Sequence, residues 1–359
     1  MKMPWKAAAV LAVPFILQGC GFGSDEAGNM DEPPEEVTED IAWEDFEEAA
    51  QQEQSSNSDE EEEPTEEETV ERELYLIDEN GKVAPQTFSL PKTEGVLKQS
   101  LEHLVTGGPI SRMVPNGFQA VLPQGTEVDV RLDENGTAVT DFSTEFRDYQ
   151  PEQEQAVLQA VTWTLTQFDN VEDVSFQING YKQETMPVNG TPIGDSYSRA
   201  QGINLENGRV SDMTDSSSVT VYFLSQIGEN SYYVPVTRRI SGKDDNNKLD
   251  AAMTELVKGP SPESGLHDVL REGTLLAEPS QVKQGTASIF FNEGLLSGQN
   301  GSVSEEALHA ALLTATELES VENVELNVEG AEEVLRVNGE TLADPAARPA
   351  FVNDAPSKG

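Results

Sequence analysis

The chain has 359 residues, one cysteine, three histidines and a formal net charge of −44. That length holds two ordinary domains, and a surface this acidic repels a phosphate backbone, which argues against nucleic-acid binding. A single cysteine excludes an intramolecular disulfide and any cysteine-based zinc cluster.

Residues 1–19 read as a secretion signal. Lys2 and Lys6 supply the positive end, and Ala7 to Leu17 form an apolar stretch of 11 residues. Eleven residues are too few to span the roughly 30 Å of hydrocarbon that about 20 helical residues cover. Leu17-Gln18-Gly19-Cys20 follows and resembles the lipobox of bacterial lipoproteins, in which small Gly19 admits the signal peptidase and Cys20 carries the lipid. The expectation is a chain anchored to the outer face of the cell membrane through lipid on Cys20, at a gain of about 0.8 kcal/mol per buried methylene.

From Gly21 to Glu73 there are 23 acids and one base, Arg72, so half of the excess charge lies here. Residues 20–70 have almost no apolar periodicity and are expected as a disordered tether, with a reach of about 40 Å for some 50 flexible residues. Ile41-Ala42-Trp43-Glu44-Asp45-Phe46 interrupts it as a short amphipathic patch.

The remainder contains a repeat. Gln155–Gly180 matches Glu305–Gly330 without a gap, and Leu158, Ala160, Thr164, Thr166, Val171, Glu172, Val174 and Gly180 recur as Leu308, Ala310, Thr314, Thr316, Val321, Glu322, Val324 and Gly330. Leu104–Pro109 answers Leu256–Pro260 upstream, and Val188-Asn189-Gly190 answers Val337-Asn338-Gly339 downstream. Ordered matches of this kind point to a tandem duplication. Two domains are therefore expected, at 71–211 and 216–350, with 351–359 as a flexible tail.

Within the first copy, Glu73–Ile77 alternates as a strand, turns at Glu79-Asn80-Gly81-Lys82 and pairs back along Val83–Leu90. A helix is expected over Thr93–Val105, stopped by Gly107-Gly108-Pro109. Val128–Leu132 and Thr137–Phe142 flank Asp133-Glu134-Asn135-Gly136, a strong hairpin signal. A second helix should cover Pro151–Phe168, and Val174–Ile178 the last core strand. The fold class is α+β: two tandem modules, each a mixed β-sheet with two helices on one face.

Catalytic constellations are not evident. His103, His267 and His309 are far apart and lack metal-ligand spacing, no Gly-x-Ser-x-Gly or phosphate-cradling loop occurs, and Asp141 and Asp148 read as surface or capping residues. Trp163, on the second helix, reads as core edge. No cofactor and no metal are expected. The most unusual segment is Tyr232 to Ile240, aromatic and basic in an acidic chain. Tyr232, Tyr233, Arg238 and Arg239 are therefore candidate partner-binding residues, since aromatic and arginine side chains are common interface anchors. A strand whose arginines pair with local acids explains the segment equally well.

Several stretches together resemble the GerM lipoproteins of endospore-forming bacteria, with their two GerMN domains. They are Arg72–Asp78, Pro115-Asn116-Gly117-Phe118, Val161–Phe168, Met186-Pro187-Val188, Gly202–Glu206 and Tyr232–Ile240. The acidic tether departs from the pattern expected of that family. The resemblance implies a non-enzymatic role in sporulation and spore germination, on the mother-cell membrane facing the engulfed forespore. It further implies help in localising a channel complex between the two cells, through contacts with envelope and channel proteins. A relation in shape to ring-building modules leaves open a homo-oligomer or ring. A transporter's substrate-binding lipoprotein and a cell-wall hydrolase are the alternatives.

Overall fold

The computed structural model describes residues 68–206, 216–241, 248–297, 301–342 and 345–353. The signal segment, Cys20 and the patch at Ile41–Phe46 lie outside the described residues, as do 354–359 of the expected tail.

Each module opens with a long antiparallel hairpin. In the first, β1 (Thr69–Asp78) pairs with β2 (Val83–Pro91), so the strand starts two residues ahead of the boundary expected at 71. In the second, β8 (Ser216–Ile227) pairs with β9 (Asn230–Ser241). A helix follows in each, α1 (Val96–Glu102) and α3 (Lys248–Val257). The first is shorter than the expected span of Thr93–Val105, because the chain turns after His103 and reverses at Gly107, whose φ of +77° suits glycine.

The hairpin of β4 (Val128–Leu132) and β5 (Thr137–Phe142) has the expected bounds. Its turn is held by Asp133, whose Oδ1 accepts the amides of Asn135 and Thr137, and Gly136 takes a φ of +81°. From β5 the chain crosses through α2 (Glu154–Leu165), preceded by a 3-10 turn at Pro151–Gln153, to β6 (Asp173–Ile178), which lies parallel to β5. A parallel pair requires such a crossover. The short strand β7 (Tyr181–Lys182) completes the sheet order β4-β5-β6-β7, while β3 (Phe118–Gln119) joins β1.

The second module repeats this plan with β10 (Leu276–Lys283), β11 (Thr286–Phe291), α4 (Glu305–Thr316), β13 (Asn323–Val328) and β15 (Ala346–Ala347), in sheet order β10-β11-β13-β15. Here β12 (Ser302–Val303) and β14 (Leu335–Arg336) form a separate parallel pair. This is the α+β architecture expected from the sequence.

The repeated residues occupy repeated positions. Leu158, Ala160, Val171 and Val174 are buried in one core, and Leu308, Ala310, Val321 and Val324 in the other. Glu172 and Glu322 donate their amides to the carbonyls of Gly136 and Gly285, at 2.9 Å and 2.7 Å, fixing the start of β6 and β13 against the neighbouring turn. Thr164 and Thr314 accept the amides of Tyr75 and Tyr222. Each long helix therefore satisfies the outer edge of its own module's hairpin, a backbone group that burial would otherwise leave unpaired.

One buried carboxylate closes the end of the first module. Glu154 is fully buried at the start of α2 and accepts the amides of Val188, Asn189 and Thr191 together with the Tyr149 hydroxyl. The second module meets the same Val-Asn-Gly turn with an ion pair, Arg336 to Glu305 at 2.7 Å.

Candidate functional site at the junction of the modules

Hairpin geometry sets up the junction. Pro85 stands opposite Tyr75, and Pro235 stands opposite Tyr222, at equivalent positions of the two hairpins. Proline has no N–H and is confined to strand edges, so each hairpin offers its partner an edge that cannot complete a ladder. No direct ladder joins β2 to β9.

Two asparagine side chains take its place. Asn204 accepts the Val83 amide at 2.8 Å and donates to Val83 O at 2.7 Å and Pro235 O at 2.8 Å. Asn353 accepts the Tyr233 amide at 2.7 Å and donates to Tyr233 O at 3.0 Å and Pro85 O at 2.9 Å. Each amide grips the amide and carbonyl of its own module's hairpin, and the proline carbonyl of the other module. Val83 lies two residues before Pro85, as Tyr233 does before Pro235. The arrangement is isologous: an approximate two-fold relates the modules, as in a symmetric dimer.

Both asparagines end the same short motif, Arg199-Ala200-Gln201-Gly202-Ile203-Asn204 and Arg348-Pro349-Ala350-Phe351-Val352-Asn353. In the first copy Gly202 has φ +84°, and a Cβ there would meet Leu205 and Thr237 side-chain atoms at 2.7 Å. Asn204 follows with φ +46°, a conformation that asparagine tolerates better than most residues. Val352 and Asn353 are buried, so the expected flexible tail does not begin at 351. Those residues are structural because Asn353 saturates polar groups that the facing prolines leave open.

The arginines of the motif are equivalent too. Arg199 donates to Thr166 Oγ1 at 2.9 Å and lies over the Trp163 ring at 4.3 Å. Arg348 donates to Thr316 Oγ1 at 3.0 Å and to Leu313 O at 3.1 Å. Both converge on Glu317, Arg199 at 3.1 Å and Arg348 at 3.2 Å, and Tyr222 donates its hydroxyl to the same carboxylate at 2.8 Å. Desolvation works to raise the Glu317 pKa, but the two guanidiniums outweigh it and hold the carboxyl below its ordinary range. Glu73, from β1, accepts the Val352 amide, and burial pushes its pKa up against that bond and the nearby arginines. Beside the cluster lies a cavity of about 1000 Å³, lined in part by Glu73, Trp163, Arg199, Glu317 and Arg348. Trp163 is fully buried, and its Nε1 has no partner among the described residues.

Two of the four candidate partner-binding residues are buried, and a third is half-buried. Tyr232 is buried, donates its hydroxyl to Asp78 at 2.8 Å and meets Phe118 edge-on at 4.8 Å. Tyr233 is half-buried, held through its backbone by Asn353, with its ring 6.2 Å from that of His309. Arg238 is buried against Glu206 at 2.7 Å and Glu255 at 3.4 Å, donates to Gly259 O and lies over Phe223 at 4.9 Å. Arg239 is exposed, 2.8 Å from Ser216 Oγ. The expectation of a free docking strip is corrected for Tyr232 and Arg238, which are buried. β9 is the strand at which the two modules meet, so its aromatic and basic groups are used inside the chain.

The histidines are separate here as well. His103 Nδ1 lies 2.7 Å from Gln99 O, and His267 pairs through its backbone with Leu224. No group of three or more His, Cys, Asp or Glu residues that could hold a metal is found among the described residues. Nor is any helix among them long and apolar enough to cross a membrane. Sequence reasoning missed Arg199, Asn204, Glu317, Arg348 and Asn353. The signal available for four of them was the repeated spacing of Arg, an aliphatic residue and Asn.

Comparison with known proteins agrees with this two-module plan. The family model described as "Germane: Sporulation and spore germination" matches residues 73–184 and again 220–334. The spore germination protein GerM of Bacillus subtilis (strain 168) is 43% identical over 355 residues, covering 96% of each chain. The solved structure of the tandem GerMN domains of the sporulation protein GerM from Bacillus subtilis is 46% identical with a TM-score of 0.75, covering 79% of this chain and 100% of that one. A structure of the first GerMN domain from the same protein is 56% identical over 36% of this chain and 98% of its own, with a TM-score of 0.36.

Proposed function

Since the chain belongs to the Germane family of sporulation and spore-germination proteins, we propose that it is a non-enzymatic, lipid-anchored scaffold whose GerMN modules help localise and assemble the channel complex between mother cell and forespore. The observation that carries this reading is the family match across both modules, joined to a junction whose charged and aromatic groups are spent on one another. A binding enzyme keeps such groups free to meet substrate; here they lock two modules into one body. What remains for partners is the outer surface.

Lipid on Cys20 would hold this body on the mother-cell membrane, facing the forespore, and the acidic segment would act as spacer. Its partners are then envelope and channel proteins that share that space. Pull-down of the full chain from membranes of sporulating cells tests the scaffold role, with channel components expected in the eluate. Recovery of no envelope protein, together with saturable binding of a small ligand, overturns it in favour of a transporter's substrate-binding lipoprotein. Cys20→Ala tests the anchor: the variant should fold, and fractionation should find it released from the membrane. Full membrane retention would overturn the lipid-anchor reading.

A further inference from the structure

The two modules differ at one matching place, the free edge of the four-stranded sheet. In the second module that edge is β10, which carries Pro279 and two register shifts against β11. Bulges and prolines are how natural proteins stop an edge from recruiting another strand. In the first module the edge is β4, five residues in unbroken register with β5 and with no strand on its other side. Bonds from Ser143 N to Glu127 O and from Asp133 N to Thr137 O bracket the pair. Antiparallel alternation then turns the N–H and C=O groups of Val128, Val130 and Leu132 outward.

We propose that β4 is a self-pairing edge: two copies of the chain join antiparallel about Val130, extending their sheets into one. The sequence Val128-Asp129-Val130-Arg131-Leu132 is complementary to itself when reversed. With Val130 opposite Val130 of the second copy, Asp129 falls opposite Arg131 and Arg131 opposite Asp129, both exposed on one face, where Asp129 also lies 3.7 Å from Lys98 of its own α1 in an exposed pair that costs little to exchange. Val128 meets Leu132 on the other face. Opposite charges and apolar pairs directly across strands are the arrangements that favour pairing. Any other register sets a charge against an apolar residue or against its like.

Beyond the strand, Glu127 falls opposite Asp133, so pairing stops at five residues, and the contact is weak in dilute solution. A membrane that confines copies to a plane raises their effective concentration. Because β4 pairs with the β4 of a second copy about a two-fold axis, the contact uses the same edge of both chains and the product is a closed dimer, not a filament. This inference deepens the scaffold reading and rests on it only in placing copies together on one membrane.

The test uses the full chain in its own membranes. Val130→Cys puts a thiol on the two-fold axis, where an antiparallel bonded pair brings Cα atoms to about 5.5 Å, within disulfide range. Oxidation with copper phenanthroline should give a dimer of twice the chain mass, absent from the unsubstituted chain and from Gln281→Cys on β10. Adding Arg131→Asp should lower the dimer yield on the order of tenfold, and Asp129→Arg with Arg131→Asp should restore it, because two cross-strand pairs change sign together. Circular dichroism melts confirm that each variant is folded. Dimer yield from Val130→Cys no higher than from Gln281→Cys, or insensitivity to Arg131→Asp, overturns the proposal, as does a cross-link only to a different protein. In any of these cases, recovery of channel components by the unsubstituted chain leaves the scaffold reading standing.

Discussion

Replacing Asn353 by alanine tests the lock between modules with little backbone confusion, because Asn353, unlike Asn204, is not held at positive φ. The change removes the three hydrogen bonds that the Asn353 side chain makes to Tyr233 N–H, Tyr233 O and Pro85 O. Each net bond contributes about 1 kcal/mol, and a buried group left unpaired costs about 1–3 kcal/mol, so a loss of about 3–5 kcal/mol is expected. For a folded unit of this size that lowers Tm by about 6–20 °C, at about 2–4 °C per kcal/mol. Scanning calorimetry on the chain and its variant measures the shift. Hydrogen exchange supplies the local readout, since the Tyr233 amide should lose protection while the amides inside β5 and β6 keep theirs. Asn204→Ala should resemble it at Val83, with a further loss for alanine in a left-handed conformation. The double variant should cost less than the sum, because both amides hold one interface. A loss under about 1 kcal/mol for Asn353→Ala, or a loss without faster exchange at Tyr233, refutes the clamp.

Three further outcomes follow from the buried charges. Glu317→Ala leaves Arg199 and Arg348 without their shared carboxylate and should destabilise by about 3–5 kcal/mol in urea melts, and a change below 1 kcal/mol would count against the network. Glu154 has a depressed pKa: burial acts to raise it, but the amides of Asn189 and Thr191 and the Tyr149 hydroxyl outweigh that. Its contribution is therefore full above the ordinary glutamate pKa of about 4.3 and is lost as pH falls through the folded value, so the pH dependence below about 4 should flatten in Glu154→Gln. Glu73 has the opposite sign. Its pKa is raised by burial, so its contribution to stability is full below the ordinary glutamate pKa of about 4.3 and is lost as pH rises through the folded value. Glu73→Gln should raise Tm at pH 7.5 and leave it unchanged in acid, and equal shifts at both would refute the assignment.

Local patterns made most of the fold legible. The Asp133–Gly136 turn announced itself because Asn-Gly demands a left-handed residue, and the strands around it were bounded as the sequence implied. The repeat was visible because core and turn positions such as Val174 and Gly180 are constrained by packing and backbone shape alike. The junction was not legible, and the reason is physical. Asn353 and Pro85 are 268 residues apart, and nothing in a stretch of chain says that an asparagine will satisfy a carbonyl so distant. The Tyr232–Arg239 segment misled for a related cause. An aromatic, basic strand reads the same whether it meets a partner protein or the other half of its own chain, and Arg238 found its acids in Glu206 and Glu255.

The duplication also shows how a symmetric pair becomes an obligate one. Counted by repeat position, Gln167 of the first module corresponds to Glu317 of the second, and Glu73 of the first corresponds to Thr220 of the second. The helix α2 is thus followed by an amide that donates to Glu73 O at 2.7 Å, while α4 is followed by the acid that receives both arginines. Each module supplies one arginine and one carboxylate, but from different strands and helices, so the charges balance around a single off-axis centre. A second acid at Gln167 would crowd three carboxylates beside two guanidiniums, and raise the cost already seen at Glu73. An amide at Glu317 would instead leave two arginines without a shared acid in a poorly solvated place. Divergence at these positions therefore favours the first module against the second over either module against itself. The tandem is therefore an internal heterodimer, joined by bonds that each module makes to the other.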